Sequence, residues 1–381
     1  MTPIDIHDYL DFIDTQGISG YKNSKLISKH VTFFNKETDL SKLKYDIALL
    51  GIPDSVESKL FESAAQIRKQ FYALASFSNN LNIVDLGNIK TGHTFNDVCY
   101  AMREVVSILA DLNIVVIPLG GSSQFNLGSF LAFERKKLPV NMISIDSVLS
   151  REKIPLLYGF DSSLVDTVDS TSIYNFINIG YQSYFVDKEF VDFVNDSYYE
   201  AYRLGYVRSN LQEMEPSLRD ANLIAFSLNA VKHSDAPGVS ISSPNGLTGE
   251  EACQLAFYAG HSPRIKSFGI FDFSCENDIH QTTAKLAAQI IWYFIEGQSS
   301  SIYEEPDTTP ENFVKYVIHL DQTNQNIAFF KSSLTNRWWM EISAPEKHLN
   351  ILLSCSELDY EQACRQDIPD RWWRTFQRLN Y

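Results

Sequence analysis

The residues of this 381-residue chain that could do chemistry gather just after short apolar runs. After Ile114–Leu119 stands Gly120-Gly121-Ser122-Ser123-Gln124, and after Val140–Ile145 stands Asp146-Ser147-Val148-Leu149-Ser150. Ser227-Leu228-Asn229 follows Leu223–Phe226, with Lys232-His233 close behind, and Asp272-Phe273-Ser274-Cys275 closes the last run. Hydroxyls at Ser122, Ser123, Ser147, Ser150 and Ser227 would suit nucleophilic catalysis only beside a base. The sequence has no Gly-x-Ser-x-Gly elbow and no His placed locally to activate one. Cys275, Asp272 and His280 form a Cys–Asp–His set on paper, but all three fall in one turn and helix start, where nucleophile and base cannot readily face each other. His93, after a Thr-Gly pair, and His233 are isolated, and such residues are more often structural or exposed than catalytic. Gly120-Gly121 could hold an anion at a helix N-terminus, although a tight turn is the simpler use of paired glycines. Asp146 stands apart, because a buried carboxylate must be paired or protonated. Lys232 is its candidate charge partner, with the hydroxyls of Ser147 and Ser150 as the alternative.

The elements that must position these residues alternate. Near-continuous apolar runs predict strands over Tyr45–Ile52, Asn82–Asp85, Ile114–Leu119, Val140–Ile145, Ile173–Ile179, Leu223–Ser227 and Ile265–Phe273, the pattern of parallel strands covered on both faces. Between them the sequence predicts helices over Phe61–Phe77, Phe95–Leu112, Asp187–Leu204, Gly249–Ala259 and Asp278–Glu296. Thr248 with Glu251 three residues on reads as a capping box. The alternation implies a parallel sheet with right-handed crossovers, and in such sheets the chemistry lies at the C-terminal strand ends. Residues 1–44 read as an ordered extension, 45–297 as the α/β domain and 298–310, rich in Ser, Thr, Glu and Pro, as a linker. Residues 311–381 form a C-terminal accessory segment with two Arg-Trp-Trp triplets, Arg337–Trp339 and Arg371–Trp373. Those rings either anchor the segment on the main domain or offer a partner or subunit contact.

Composition narrows the function class. A formal net charge of −15 excludes the basic face that nucleic-acid binding needs. No apolar run reaches the roughly 18 residues of a membrane span, and Met1–Leu10 has no basic stretch leading into an apolar one. Five widely spaced cysteines without a C-x-x-C pair suit reduced thiols, so a cytoplasmic setting is expected.

In order and spacing, the strand-end segments resemble the signatures of the ureohydrolases, the arginase–agmatinase–formimidoylglutamase family. These are Gly-Gly-Asp-His, Asp-Ala-His-x-Asp, Ser-x-Asp-x-Asp-x-x-Asp-Pro with a later Ala-Pro-Gly, Gly-Gly-Leu-Thr, and a late Glu-x-Asn-Pro-x-x-Asp. Here the matching segments begin at Gly120, Asp146 and Ser227, with Ala236-Pro237-Gly238, Asn245-Gly246-Leu247-Thr248 and Asp272 following. Gly51-Ile52-Pro53, Asp85-Leu86-Gly87 and Asn178-Ile179-Gly180 are also similar to the family. The resemblance spans roughly residues 45–297, with formimidoylglutamases as the nearest subgroup. It implies a three-layer α/β/α arginase-like fold with a mainly parallel central sheet, here carrying a C-terminal extension.

The resemblance also implies a chemistry, in which two Mn²⁺ ions bridged by hydroxide attack a guanidino or formimino carbon, held by two His and four Asp. At the place of the first His stands Ser123. The leading Asp of the second motif is kept as Asp146, while its His is Val148 and its closing Asp is Ser150. The paired aspartates of the third motif are Ser227 and Asn229. Its Asp-Pro is Lys232-His233, and the late Glu on the substrate side is Asp272. Two divalent ions about 3.5 Å apart repel by on the order of 20 kcal/mol even at an effective dielectric near 20. One surviving carboxylate of four does not offset that, so no catalytic residue, no metal and no cofactor is expected.

The expected function is therefore a pseudoenzyme: a ureohydrolase-fold protein that has lost binuclear manganese hydrolase activity and acts by binding or assembly. The family's habit implies a homo-oligomer, and the Trp-rich C-terminal segment is the place for an unknown protein partner. One alternative is an active formimidoylglutamase- or arginase-type hydrolase of linear amidines with a reduced or altered metal site. Another is a small-molecule sensor using the old cleft, with Tyr181 and Arg208 as contacts.

Overall fold

The computed structural model describes residues 5–13, 25–40, 42, 44–77, 81–136, 138–150, 173–186, 188–321, 325–344 and 349–380. The seven apolar runs become strands β3 (Ile47–Gly51), β4 (Ile83–Ile89), β5 (Val115–Leu119), β6 (Val140–Ile145), β7 (Ile173–Tyr181), β9 (Leu223–Ser227) and β10 (Ser267–Phe271). With β8 (Glu200–Arg203) they form one parallel sheet in the order β4-β3-β5-β10-β9-β6-β7-β8. Two short strands from the N-terminal extension, β1 (Leu10–Asp11, antiparallel) and β2 (Val31–Phe33, parallel), pair with β4 at its edge.

Both faces of the sheet are covered, so strand residues alternate between two cores. Leu49, Ile117, Ile143 and Phe268 pack against α1 (Glu62–Tyr72), α7 (Gly249–Gly260) and α8 (Thr282–Ser300). Ala48, Leu50, Val116 and Phe271 face α2 (Phe95–Asp111), α3 (Asn126–Glu134) and α4 (Lys188–Asp196). This is the three-layer arrangement expected. The capping box at Thr248 is present, with Glu251 N donating to Thr248 Oγ1 and Thr248 N to Glu251 Oε2.

Three local expectations fail for local reasons. The helix predicted over Asp187–Leu204 stops at Asp196 (Asp187 itself lies outside the described residues). Asn195-Asp196-Ser197 favours a turn, Tyr198 takes a left-handed φ of 56°, and the chain re-enters the sheet as β8. The helix expected from Asp278 begins at Thr282 because Asp278 caps it, accepting from Thr283 N and Ala284 N at 2.9 Å each. Helix α3 runs through a stretch taken only for its motif, and two short helices, α5 (Leu204–Ser209) and α6 (Glu215–Arg219), also escaped the periodicity.

The C-terminal segment forms an antiparallel sheet, β11 (Phe313–Leu320), β12 (Gln325–Ser332), β13 (Trp338–Ala344) and β14 (Leu349–Cys355), followed by α9 (Glu357–Cys364) and α10 (Asp370–Asn380). It has its own core, in which Phe329, Met340, Ile342, Trp338 and Trp372 meet. Charges dock it on the main domain. Asp220 accepts from the N and Oγ of Ser354 at 2.9 and 2.6 Å, and Arg219 lies 4.2 Å above the Trp339 ring. Glu215 pairs with Arg337 at 3.2 Å, and Arg371 lies 3.5 Å from Glu200 and 4.0 Å from Asp220. Three of the four tryptophans in the Arg-Trp-Trp triplets are buried; Trp373 is 40% exposed. The chain after α8 is fastened too, with Glu305 on Arg264 at 2.7 Å and the buried Glu304 accepting from Ser332 Oγ at 2.7 Å.

Burial opposes the charge of Arg371, yet Glu200, Tyr202 and Asp220 more than offset it and its pKa is raised. Removing one member of a buried charge set leaves the others unpaired, so Arg371→Ala should cost about 3–5 kcal/mol. Urea unfolding followed by tryptophan emission measures this directly. His261 gives a second check. Burial, helped by Arg337 and Arg219, lowers its pKa to about 4 from an ordinary 6.5. The unfolded chain therefore binds the extra proton first, and stability should fall as pH drops from 6.5 towards 4. That portion of the loss should be absent in His261→Gln, read from urea midpoints at several pH values.

Candidate functional site

Strands β5, β10, β9 and β6 are neighbours, so their C-terminal ends bring Ser123, Asp272, Ser227 and Asp146 to one edge of the sheet. Phe271 pairs in register with Ser227, and Ile145, just before Asp146, pairs with Phe226, just before Ser227. The turn after β5 needs its glycines, since Gly120 and Gly121 hold φ of 85° and 68°, which residues with a Cβ rarely adopt.

Asp272 is the hub of this edge. Its carboxylate is buried and accepts from Ser227 Oγ at 2.6 Å and from Ser123 N at 3.2 Å. Its own N donates to Gly121 O at 2.8 Å. One side chain thus ties the ends of β5, β9 and β10. It does so from a left-handed backbone, φ 64°, a conformation that costs a non-glycine residue about 1 kcal/mol. Ser227 Oγ in turn accepts from Asn229 N at 3.3 Å, and Asn229 Oδ1 accepts from Ile241 N at 3.0 Å.

Asp146 is buried, and its Oδ1 accepts from Val148 N at 3.0 Å. Val148 and Ser150 are half-buried beyond it, and the hydroxyl of Ser147 is buried without a hydrogen-bond partner. Lys232 lies elsewhere: its ammonium pairs with Asp235 at 3.4 Å, and among the described residues no ion pair joins it to Asp146. The Cys275 set is not assembled. Cys275 Sγ lies 3.7 Å from Ser63 Oγ, burial pushes its thiol up, and His280 is exposed. His93 and His233 are exposed, with His233 Nδ1 2.6 Å from Ser242 Oγ. Arg208 pairs with Glu251 at 3.1 Å, and Tyr181 is half-buried with its phenol pKa raised by burial.

Two polar residues of this region were missed. Gln182, just past β7, donates to Asn245 O at 3.1 Å and accepts from Ser243 Oγ at 3.4 Å, fixing the Asn245-Gly246 loop. Asn178 is fully buried on β7 opposite Ser144, with no hydrogen-bond partner for its amide. Both fall in or beside Asn178-Ile179-Gly180, a segment read only as scaffold, so their amides were the available signal.

The arginase-family model matches residues 45–296, more than half of the chain. The chain belongs to the arginase family. A formimidoylglutamase of Streptococcus pyogenes serotype M49 is 24% identical over 261 residues, covering 62% of this chain and 77% of the relative. In structure the chain resembles Bacillus subtilis formimidoylglutamase, with a TM-score of 0.63, 16% identity and coverage of 77% and 98%. It also resembles Trypanosoma cruzi formiminoglutamase crystallised with Mn²⁺, with a TM-score of 0.58, 19% identity and coverage of 70% and 96%. The family segment ends within α8, before the C-terminal sheet begins at Phe313.

The expectation that no cofactor is involved is corrected by the last of these, a protein of the same fold that holds manganese. Among the described residues no group of three or more His, Cys, Asp or Glu side chains is placed to hold a metal. The carboxylates among the described residues of this edge are Asp146 and Asp272, joined by hydroxyls and an amide, a set that does not match a two-ion site.

Losing the hydroxyl of Ser227 removes a short bond to the buried carboxylate of Asp272. Ser227→Ala should therefore destabilise the fold by about 1–3 kcal/mol. An unchanged urea midpoint would mean that the strand ends do not depend on this bond.

Proposed function

We propose that this arginase-family chain does not hydrolyse amidines through a binuclear centre and acts instead by binding or assembly. The observation that carries the reading is the use made of Asp272. Its oxygens accept from Ser123 and Ser227, two positions that resemble metal-ligand positions of the family. A carboxylate committed to protein donors, with Ser123, Val148, Ser150, Ser227 and Asn229 at five of the six positions that resemble ligand positions, supports a scaffold kept for shape. Trp373, left 40% exposed on the C-terminal unit, supports an assembly role, with a homo-oligomer as the expected form.

The second reading is an active hydrolase of linear amidines with an altered site. It is favoured by the buried Asp146 and by relatives that are formimidoylglutamases. Manganese is the ion to supply in separating the two.

Protein purified with Mn²⁺ should release urea, formamide or ammonia from arginine, agmatine and formiminoglutamate at less than about 0.01 per second, far below the roughly 1–1,000 per second of ordinary enzymes. Light scattering on the same preparation should give a mass above the 43.4 kDa of one chain. Turnover in the ordinary range with two manganese ions per chain would replace the first reading by the second.

A further inference from the structure

Strands β6, β7, β9 and β10 begin side by side on the sheet edge opposite Asp146 and Asp272. Their starts, with the loop after α3, face β14 and α10 of the C-terminal unit across a cleft of about 630 Å³. Small-molecule sites span about 300–1,000 Å³. Part of the lining is apolar, with Phe133 and Leu138 from the main domain and Ile351 and Leu379 from the C-terminal unit. Tyr174, Arg264 and Lys266 supply polar lining.

These three polar groups have hydrogen-bonding capacity to spare. Arg264 directs Nε and Nη2 to one oxygen of Glu305, at 3.1 and 2.7 Å, which leaves Nη1 for another acceptor. Lys266 Nζ donates to Asn113 Oδ1 at 3.1 Å, and among the described residues no carboxylate pairs with it. Partial burial and the neighbouring Lys136 lower its pKa, the situation of a cation lacking an anion. Among the described residues the buried hydroxyl of Tyr174 has no hydrogen-bond partner, and burial pushes the phenol up to about 12, so it remains a donor. Arg264 faces the carboxylates of Asp220 and Glu305, whereas among the described residues Lys266 has no carboxylate beside it, so the lining leaves one cation to meet, which suits a monoanion better than a phosphate dianion.

We propose that this interdomain cleft binds a small amphipathic carboxylate. Its anionic end is held by Lys266, Arg264 and Tyr174, and its apolar tail lies along Leu138, Ile351 and Leu379. The site differs from the strand ends at Asp272 in place and in chemistry. Ile351 and Leu379 lie beyond residues 45–296, so the cleft is completed by this chain's extension and not by the family segment alone.

Isothermal titration of the full chain with octanoate tests the proposal, with octanamide as the neutral match. Saturable one-to-one binding of octanoate is expected, with none for octanamide. Lys266→Gln should weaken it at least about tenfold, and Tyr174→Phe by about threefold to tenfold. Circular dichroism checks that each variant is folded; should Lys266→Gln fail to fold, Tyr174→Phe decides alone. No saturable binding of octanoate, equal binding of octanamide, or unchanged affinity in the folded variants would overturn the assignment.

Discussion

A buried carboxylate must find donors, and in this protein that demand shapes the edge of the sheet where Asp146 and Asp272 lie. Asp272 meets it with the hydroxyl of Ser227 and the backbone of Ser123, and its own N–H returns to Gly121. Three neighbouring strand ends are thereby held by one side chain. Hydrogen bonds to a charged acceptor contribute more than neutral ones, which offsets the cost of the left-handed backbone at this residue. The hydroxyl of Ser227 thus has a structural role at this edge. It supplies the donor that an isolated carboxylate would otherwise lack.

Much of the fold was legible because the sheet is buried on both faces. Continuous apolar runs such as Val140–Ile145 and Leu223–Ser227 have no other stable use, and the strands match their predicted limits there. Helix ends were less legible where a side chain outside the helix caps it, as Asp278 does for α8, since the cap carries the polarity of a helix residue. Strand β8 was hidden because its four residues are too short to show a period of two, and they sit against an amphipathic helix.

Within the candidate site, Ser123, Asp146, Ser227 and Asp272 meet at one edge because each follows a strand of the same parallel sheet, as their positions after apolar runs implied. What it did not reveal was which carboxylate would be the hub. Asp146 drew attention as the retained ligand-type residue, and Lys232 as its charge partner. The ammonium of Lys232 instead closes on Asp235, three residues along its own turn, a shorter path than crossing to β6. Asp272 was read for what it replaces and as a member of the Cys275 set, and its role depends on contacts with residues 45 and 149 positions away in the chain. Such distances leave no local pattern in a sequence. The expectation about manganese went wrong differently: counting ligands measures a donor set, whereas a relative of the same fold that holds the ion shows what the scaffold can host.

The seam between the main domain and the C-terminal unit is built from buried charges: Arg371 with Glu200 and Asp220, and Glu215 with Arg337. Charged groups lose hydration free energy on warming, so the cost of keeping them dry falls as temperature rises, whereas burial of apolar surface gains little more. Attachment of the unit therefore keeps gaining on warming after the apolar contribution has levelled off. The charges of the seam cost least to keep dry in a warm protein and most in a cold one.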